Sequence, residues 1–127
     1  HTEVVLVVFD PVELPLEELL TMFWEAHDPT QGMRQGNDRG TQYRSAIFPQ
    51  TAAQQTEAEE KISQLNQSGH YSQTIATNLE TSDQFWIAED YHQDYVKHNP
   101  DNSYVRNVSV PRYQKFRSIF DSAYLKK

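Results

Sequence analysis

Residues 3–9, Glu-Val-Val-Leu-Val-Val-Phe, form a near-continuous β-branched and apolar run that stops at Asp10-Pro11. A run of this kind without polar alternation predicts a strand buried on both faces, so other elements must cover each side of it. Pro11 ends the strand because proline has no amide hydrogen to give to a ladder. At 127 residues the chain is long enough for one compact domain. A domain of that size hides roughly two-thirds of its unfolded surface without help from metals or cross-links. No apolar stretch approaches the roughly 20 residues that span a bilayer, and the opening residues lack the basic start and apolar core of a signal peptide. A soluble, cytoplasmic domain is expected.

Downstream of the run, Pro15 suits a first helical turn, and Leu16, Leu19, Leu20, Phe23 and Trp24 recur at three- and four-residue spacing. This predicts an amphipathic helix reaching about His27. Residues 28–40 then hold three of the four glycines and show no periodicity. Long loops inside compact domains are commonly functional. Tyr43–Phe48 predicts a second strand before Pro49. Thr51 caps a helix through about Gln67, stopped by Ser68-Gly69. Residues 74–79 alternate as a third strand. Phe85–Ala88 is an apolar stretch leading into a short helix over 89–95. Pro111 begins a last helix carrying the stripe Tyr113, Phe116, Ile119 and Phe120. There is no internal repeat or linker. The expected class is α+β, a mixed sheet with flanking helices and long functional loops, in a single domain over 1–127 whose tail is the helical segment 111–127.

Charge and composition narrow the chemistry. Eighteen acidic against eleven basic side chains give a net charge of −7, which argues against nucleic-acid binding as the main task. Residues 1–96 carry −12 and residues 97–127 carry +5. The basic tail reads as a solvated helix on an acidic body, or as a contact for nucleic acid or a membrane. Cysteine is absent, so this polypeptide alone has no disulfide, zinc-thiolate site or thiol catalysis. His92 and His98, with Glu89 and Asp90, are spaced wrongly for one helical face, and no metal site is expected. No hydrolytic triad or phosphate loop is recognisable.

Two features remain. The segment 28–43 gathers Asp28, Gln31, Arg34, Asn37, Asp38, Gln42 and Tyr43 on a glycine-rich backbone. It is either braced by its own hydrogen bonds or built to hold a ligand. Glu3 opens a strand of apolar neighbours. It is either a solvated strand-end charge or a partly desolvated carboxyl that stays protonated and can donate a proton.

The stretch Phe23-Trp24-Glu25-Ala26-His27-Asp28-Pro29-Thr30-Gln31-Gly32-Met33-Arg34-Gln35-Gly36-Asn37-Asp38-Arg39-Gly40-Thr41-Gln42-Tyr43-Arg44-Ser45 closely resembles the signature region of the methionine sulfoxide reductase A family. His1-Thr2-Glu3 is similar to the family's Gly-His-x-Glu strand, and residues 88–95 and His98-Asn99-Pro100 extend the likeness over most of 1–110. The resemblance implies an MsrA-like α+β fold with a ferredoxin-like core. It implies an oxidoreductase of protein repair under oxidative stress, which reduces S-methionine sulfoxide, free or in proteins. In such enzymes a cysteine thiolate attacks the sulfoxide sulfur while an acid protonates the oxygen, and a thiol resolves the resulting sulfenic acid. By this resemblance Glu3 is the acid, Tyr43 and Asp38 bind substrate, and Tyr95 matches a further tyrosine near the pocket. No organic cofactor or metal is implied. Thioredoxin or a similar thiol supplies the reducing equivalents.

The chain departs from the family in one respect that matters. The Gly-Cys-Phe-Trp-Gly motif, which carries the nucleophile and an aromatic pair, is missing, and a further substrate tyrosine upstream is missing with it. Val105 also follows Tyr104 where many members have cysteine. Three accounts stay open. The chain is part of a reductase whose upstream half carries the cysteine; it is a split or degenerate homologue that binds methionine sulfoxide or a partner; or it is an interaction module on the same scaffold. Under the first two, apolar surface left uncovered favours association with a missing N-terminal segment or with a second copy.

Overall fold

The computed structural model describes residues 2–82 and 84–119, which form two units, His1–Asp83 and Gln84–Lys127. His1, Phe120 and the tail residues 121–127 lie outside the described residues.

In the first unit, helix α1 (Leu16–Glu25) starts behind Pro15, whose φ of −58° suits the boundary, with Glu17 and Glu18 in its first turn. Leu20 and Trp24 of the expected stripe are buried, and Leu16, Leu19 and Phe23 are half-buried. Met22 is buried as well. It lies about 200° around the helix from Leu20, so α1 is covered on two sides rather than along one stripe. Helix α2 (Ala52–Ser68) agrees with its sequence signals at both ends. Thr51 Oγ1 accepts from the Gln54 amide at 3.1 Å, and Gly69 takes the left-handed φ of 75° that ends the helix. The two helices pack together, with Ala58 of α2 only 1% exposed.

Strands β1 (Arg34–Gln35) and β2 (Asp38–Arg39) pair antiparallel, and β3 (Ala46–Ile47) pairs parallel with β4 (Asn78–Leu79). The α+β class is as expected, with both pairing senses distributed over two small two-stranded sheets. The strand predicted at 43–48 begins only at Ala46, because Tyr43 closes a 3-10 turn, Thr41–Tyr43. The strand predicted at 74–79 contracts to its last residues. Its earlier amides have irregular partners instead: Ile75 N–H donates to Asn66 Oδ1 at 2.8 Å and Ala76 N–H to the Pro29 carbonyl at 2.7 Å.

The largest departure is the run 3–9, which belongs to no strand. Among the described residues its one backbone hydrogen bond runs from Glu3 N–H to the Gln42 carbonyl, 3.0 Å. Val5 and Val8 are 85% and 91% exposed. A strand exists only where other backbone groups answer its own, and beyond Glu3 none of the described residues does so.

In the second unit, residues 85–88 belong to no helix or strand and are exposed, with Trp86 70% accessible. The expected helix over 89–95 is a 3-10 turn (Asp90–His92) followed by the short helix α3 (Tyr95–His98). Helical backbone then resumes at 103, well before Pro111. Asn102 Oδ1 caps it, accepting from the amides of Tyr104 (2.9 Å) and Val105 (3.1 Å). A π turn, Val105–Ser109, precedes α4 (Val110–Ile119). Proline inside a helix lacks a donor and crowds the carbonyl four residues back, and a widened turn relieves that crowding. Of the predicted stripe, Phe116 is half-buried and Tyr113 and Ile119 are about half exposed, while Phe120 lies outside the described residues. No described helix is long and apolar enough to cross a membrane.

Replacing Thr51 with Ala removes the α2 cap and is expected to lower stability by about 1 kcal/mol in urea denaturation, whereas Thr51→Ser leaves it nearly unchanged. An unaltered midpoint for Thr51→Ala would contradict the capping role.

Candidate active site

The loop 28–43 is held at its base by a buried chain of hydrogen bonds. Trp24, 2% exposed, donates its indole Nε1–H to Thr77 Oγ1 at 3.1 Å. Thr77 Oγ1 lies 2.7 Å from Ser45 Oγ, and Ser45 Oγ lies 2.8 Å from His27 Nε2. His27 Nδ1 is 2.8 Å from the Phe23 carbonyl, one helical turn back. His27 precedes the loop and Ser45 follows it, so their contact draws the two ends of the loop together. Burial pushes the His27 imidazole below its ordinary value, against the opposing pull of the Phe23 carbonyl and Asp28.

Within the loop, the Asp28 carboxylate accepts from the Thr30 amide (3.0 Å), the Thr30 hydroxyl (2.6 Å) and Gln31 Nε2 (3.0 Å). These bonds, the Thr30 hydroxyl foremost, hold its pKa below the usual carboxylate range. The Gln35 side chain clasps the Asp28 backbone through both its amide hydrogen (3.0 Å) and its carbonyl (3.1 Å). Gln31 Oε1 accepts from Arg34 Nε and the Gly36 amide. Gly36, with φ of 59°, takes the first position of the two-residue turn between β1 and β2, where a side chain would be strained. Of the polar loop residues, Asp28, Gln31 and Arg34 are thus internal braces.

That bracing sets the rest of the loop in place. Asp38 pairs in register with Gln35 on the hairpin. Gly40 then donates to the Met33 carbonyl at 2.8 Å and accepts from Tyr43 N–H at 3.1 Å, seating the Thr41–Tyr43 turn against both hairpin strands. The backbone of Glu3 docks on this same turn at Gln42. Three of the four residues singled out in sequence, Glu3, Asp38 and Tyr43, therefore converge on one corner of the first unit. Asp38 and Tyr43 are half-buried, whereas Glu3 is exposed. Next to it, Thr2 Oγ1 is buried without a hydrogen-bond partner among the described residues. Tyr95 belongs to the second unit, where its hydroxyl accepts from Asn102 Nδ2 at 3.4 Å. Among the described residues no group of three or more His, Cys, Asp or Glu side chains is placed to hold a metal.

A sequence profile described as Peptide methionine sulfoxide reductase matches residues 1–124. The chain belongs to this family. It is 47% identical over 120 residues to a peptide methionine sulfoxide reductase MsrA of Haloquadratum walsbyi, covering 94% of this chain and 68% of that protein. It is 53% identical over 103 residues to the human mitochondrial enzyme, covering 79% and 43% respectively. Among solved structures it resembles reduced Mxr1 of Saccharomyces cerevisiae, with a TM-score of 0.65 and 38% identity over 74% of this chain and 51% of that one. The methionine sulfoxide reductase A of Corynebacterium diphtheriae is similar at a TM-score of 0.58, with half of that chain covered. The chain thus spans about half of these two solved chains and between 43% and 68% of the two relatives.

The buried base of the loop is hardly legible in the sequence. Ser45 and Thr77 read as ordinary polar positions of strands, and His27 as the end of a helix. The one signal was a tryptophan and a histidine three residues apart, directly before the loop.

A second anchor is the bidentate pair of Arg44 with Glu80, at 2.7 and 2.8 Å, which flanks the β3–β4 pairing. The Arg44 guanidinium holds the Glu80 carboxyl below its ordinary 4.5. A lowered folded-state value stabilises the fold above the ordinary value, and that stability is lost as pH falls through the folded one. Thermal melts are expected to drop in midpoint below about pH 4.5, with Asp28 adding to the same acid limb. Glu80→Gln should flatten that limb and lose about 1 kcal/mol at neutral pH. An acid limb of unchanged steepness would contradict the assignment.

Proposed function

We propose that this chain supplies the acid and the oxygen-binding groups of a peptide-methionine (S)-S-oxide reductase. In this reading residues 1–127 belong to one catalytic domain, and a cysteine on polypeptide outside the chain is the nucleophile. The observation that carries the proposal is the hydrogen bond from Glu3 to Gln42. It sets the carboxyl-bearing residue beside Tyr43 on a turn already fixed to the Asp38 hairpin.

The chemistry explains why these groups belong together. As the thiolate attacks sulfur, the S–O bond breaks and the oxygen gathers negative charge. A poor leaving group of this kind needs a proton and donors aimed at it. Glu3 gives the proton, the Tyr43 hydroxyl donates to the oxygen, and Asp38 orients the substrate, while Tyr95 rests on the family resemblance alone. The displaced hydroxide then attacks the cysteine sulfur of the resulting sulfonium, the new sulfur–sulfur bond breaks toward methionine, which leaves, and the cysteine becomes a sulfenic acid. A thiol, from thioredoxin or a similar reductant, condenses with it to release water, and a second thiol returns the cysteine while forming a disulfide. The same absence of cysteine favours a second reading, a homologue that binds methionine sulfoxide or a partner without reducing it.

Intact mass of the protein as expressed, with turnover of S-methionine sulfoxide in dithiothreitol, separates the two. A mass above that of these 127 residues with turnover supports the reductase. A mass equal to theirs, without turnover, supports the binding protein. In the active form Glu3→Gln is expected to lower kcat by about a hundredfold or more. Full activity of Glu3→Gln would remove the acid from the account.

The uncovered run Val4–Val8 belongs to this proposal, its partner being an upstream segment or a second copy. The 127-residue chain alone is expected to elute as an associated species in size-exclusion chromatography. A monomer that binds no apolar dye would contradict it.

A further inference from the structure

We propose that His27 is the positioning residue of this site: its neutral imidazole, protonated on Nδ1, closes the neck of the 28–43 loop by accepting a hydrogen bond from Ser45, and a second proton opens that neck. The inference rests on reading 28–43 as the loop that receives the sulfoxide.

The hydrogen bonds have only one consistent direction. The Phe23 carbonyl can only accept, so His27 Nδ1 carries the hydrogen. In a neutral ring Nε2 is then an acceptor, and Ser45 must donate to it. The single Ser45 proton is thereby used, so Thr77 donates to Ser45 Oγ. The Thr77 proton is used in turn, and its oxygen accepts from the Trp24 indole, which can only donate. Every member of the chain is satisfied, and each polarity is fixed by the two ends.

A proton on Nε2 breaks this order. His27 would become a donor toward Ser45, and the Ser45 proton would turn back on Thr77. One hydroxyl proton would then be left without an acceptor beside a fully buried tryptophan. The surrounding groups do little to offset this. Asp28, next in sequence, favours the charged ring, but its carboxylate is occupied by Thr30 and Gln31. Glu25 faces His70 at 3.6 Å, the Tyr71 hydroxyl donates to the Trp24 carbonyl at 3.4 Å, and Arg44 is paired with Glu80. The strand residues at the ring, Ser45 and Thr77, are uncharged. Because burial lowers the folded-state value of His27, the closed neck is fully favoured above its ordinary 6.5 and is progressively lost as pH falls below it.

The test is nitrogen-15 NMR of the 127-residue chain across a pH titration. The expected result is the Nδ1–H tautomer of His27 at neutral pH. Below pH 6.5 the Trp24 indole N–H should lose exchange protection by about tenfold, with Gly36 and Gly40 amides shifting at the same midpoint. An Nε2–H tautomer, or a His27 titration that leaves the indole and the loop amides unmoved, would overturn the proposal. His27→Gln offers an uncharged acceptor to Ser45 and should abolish the pH response of the loop while leaving the chain folded. A loop response that persists in His27→Gln would also overturn it. Should that variant fail to fold, the titration of the unaltered protein decides alone. Methionine sulfoxide added at pH 7.5 separates the two readings: silence at Asp38 and Tyr43 would sink the sulfoxide loop while leaving the His27 result intact.

Discussion

The contact between His27 Nε2 and Ser45 Oγ, 2.8 Å long, is the constraint on which the first unit depends. It joins the residue before the 28–43 loop to one just after it, and it continues through Thr77 to Trp24, so α1, β3 and the approach to β4 meet in one buried place. A loop of this length is otherwise entropically free, and closing its base removes much of that freedom before any ligand arrives. Pro29, fully buried, and the Ala76 bond to its carbonyl hold the first residues of the loop against the same segment.

Preorganisation then passes outward in steps. Asp28, Gln31 and Gln35 use their side chains to make the loop rigid rather than reactive. The hairpin they hold presents Asp38, and the turn after it presents Tyr43. Reduction of a sulfoxide calls for this division of labour, because donors aimed at the oxygen help most when they need not reorganise as charge develops. Glu3 reaches the corner from a different part of the chain, through one backbone hydrogen bond.

Local signals proved legible in the sequence where the physics is local. Thr51 and Gly69 mark the ends of α2 by capping and left-handed geometry, and Pro15 marks the start of α1. The family likeness pointed to Glu3, Asp38 and Tyr43, and the backbone brings these three to one corner. What could not be read was non-local. The run 3–9 has every compositional mark of a buried strand, but strand formation depends on partners, and Val5 and Val8 stand exposed. Tyr43 looks like the start of a strand until the Gly40 carbonyl captures its amide. The helix expected from Pro111 starts earlier because Asn102 caps it and a π turn accommodates the proline. The contact of His27 is with a side chain 18 residues further along, which no local pattern marks.

On the proposed reading, the corner formed by Glu3, Asp38 and Tyr43 recognises the oxygen of methionine S-sulfoxide. The most direct measurement is a stereochemical titration, in which S-sulfoxide, R-sulfoxide and methionine are each added to isotopically labelled protein and followed at the amides of Glu3, Asp38 and residues 41–43. The S epimer is expected to move these signals and to bind about tenfold or more tightly than the other two, as hydrogen bonds to one oriented oxygen require. Equal responses to all three compounds, or shifts confined to other residues, would contradict it.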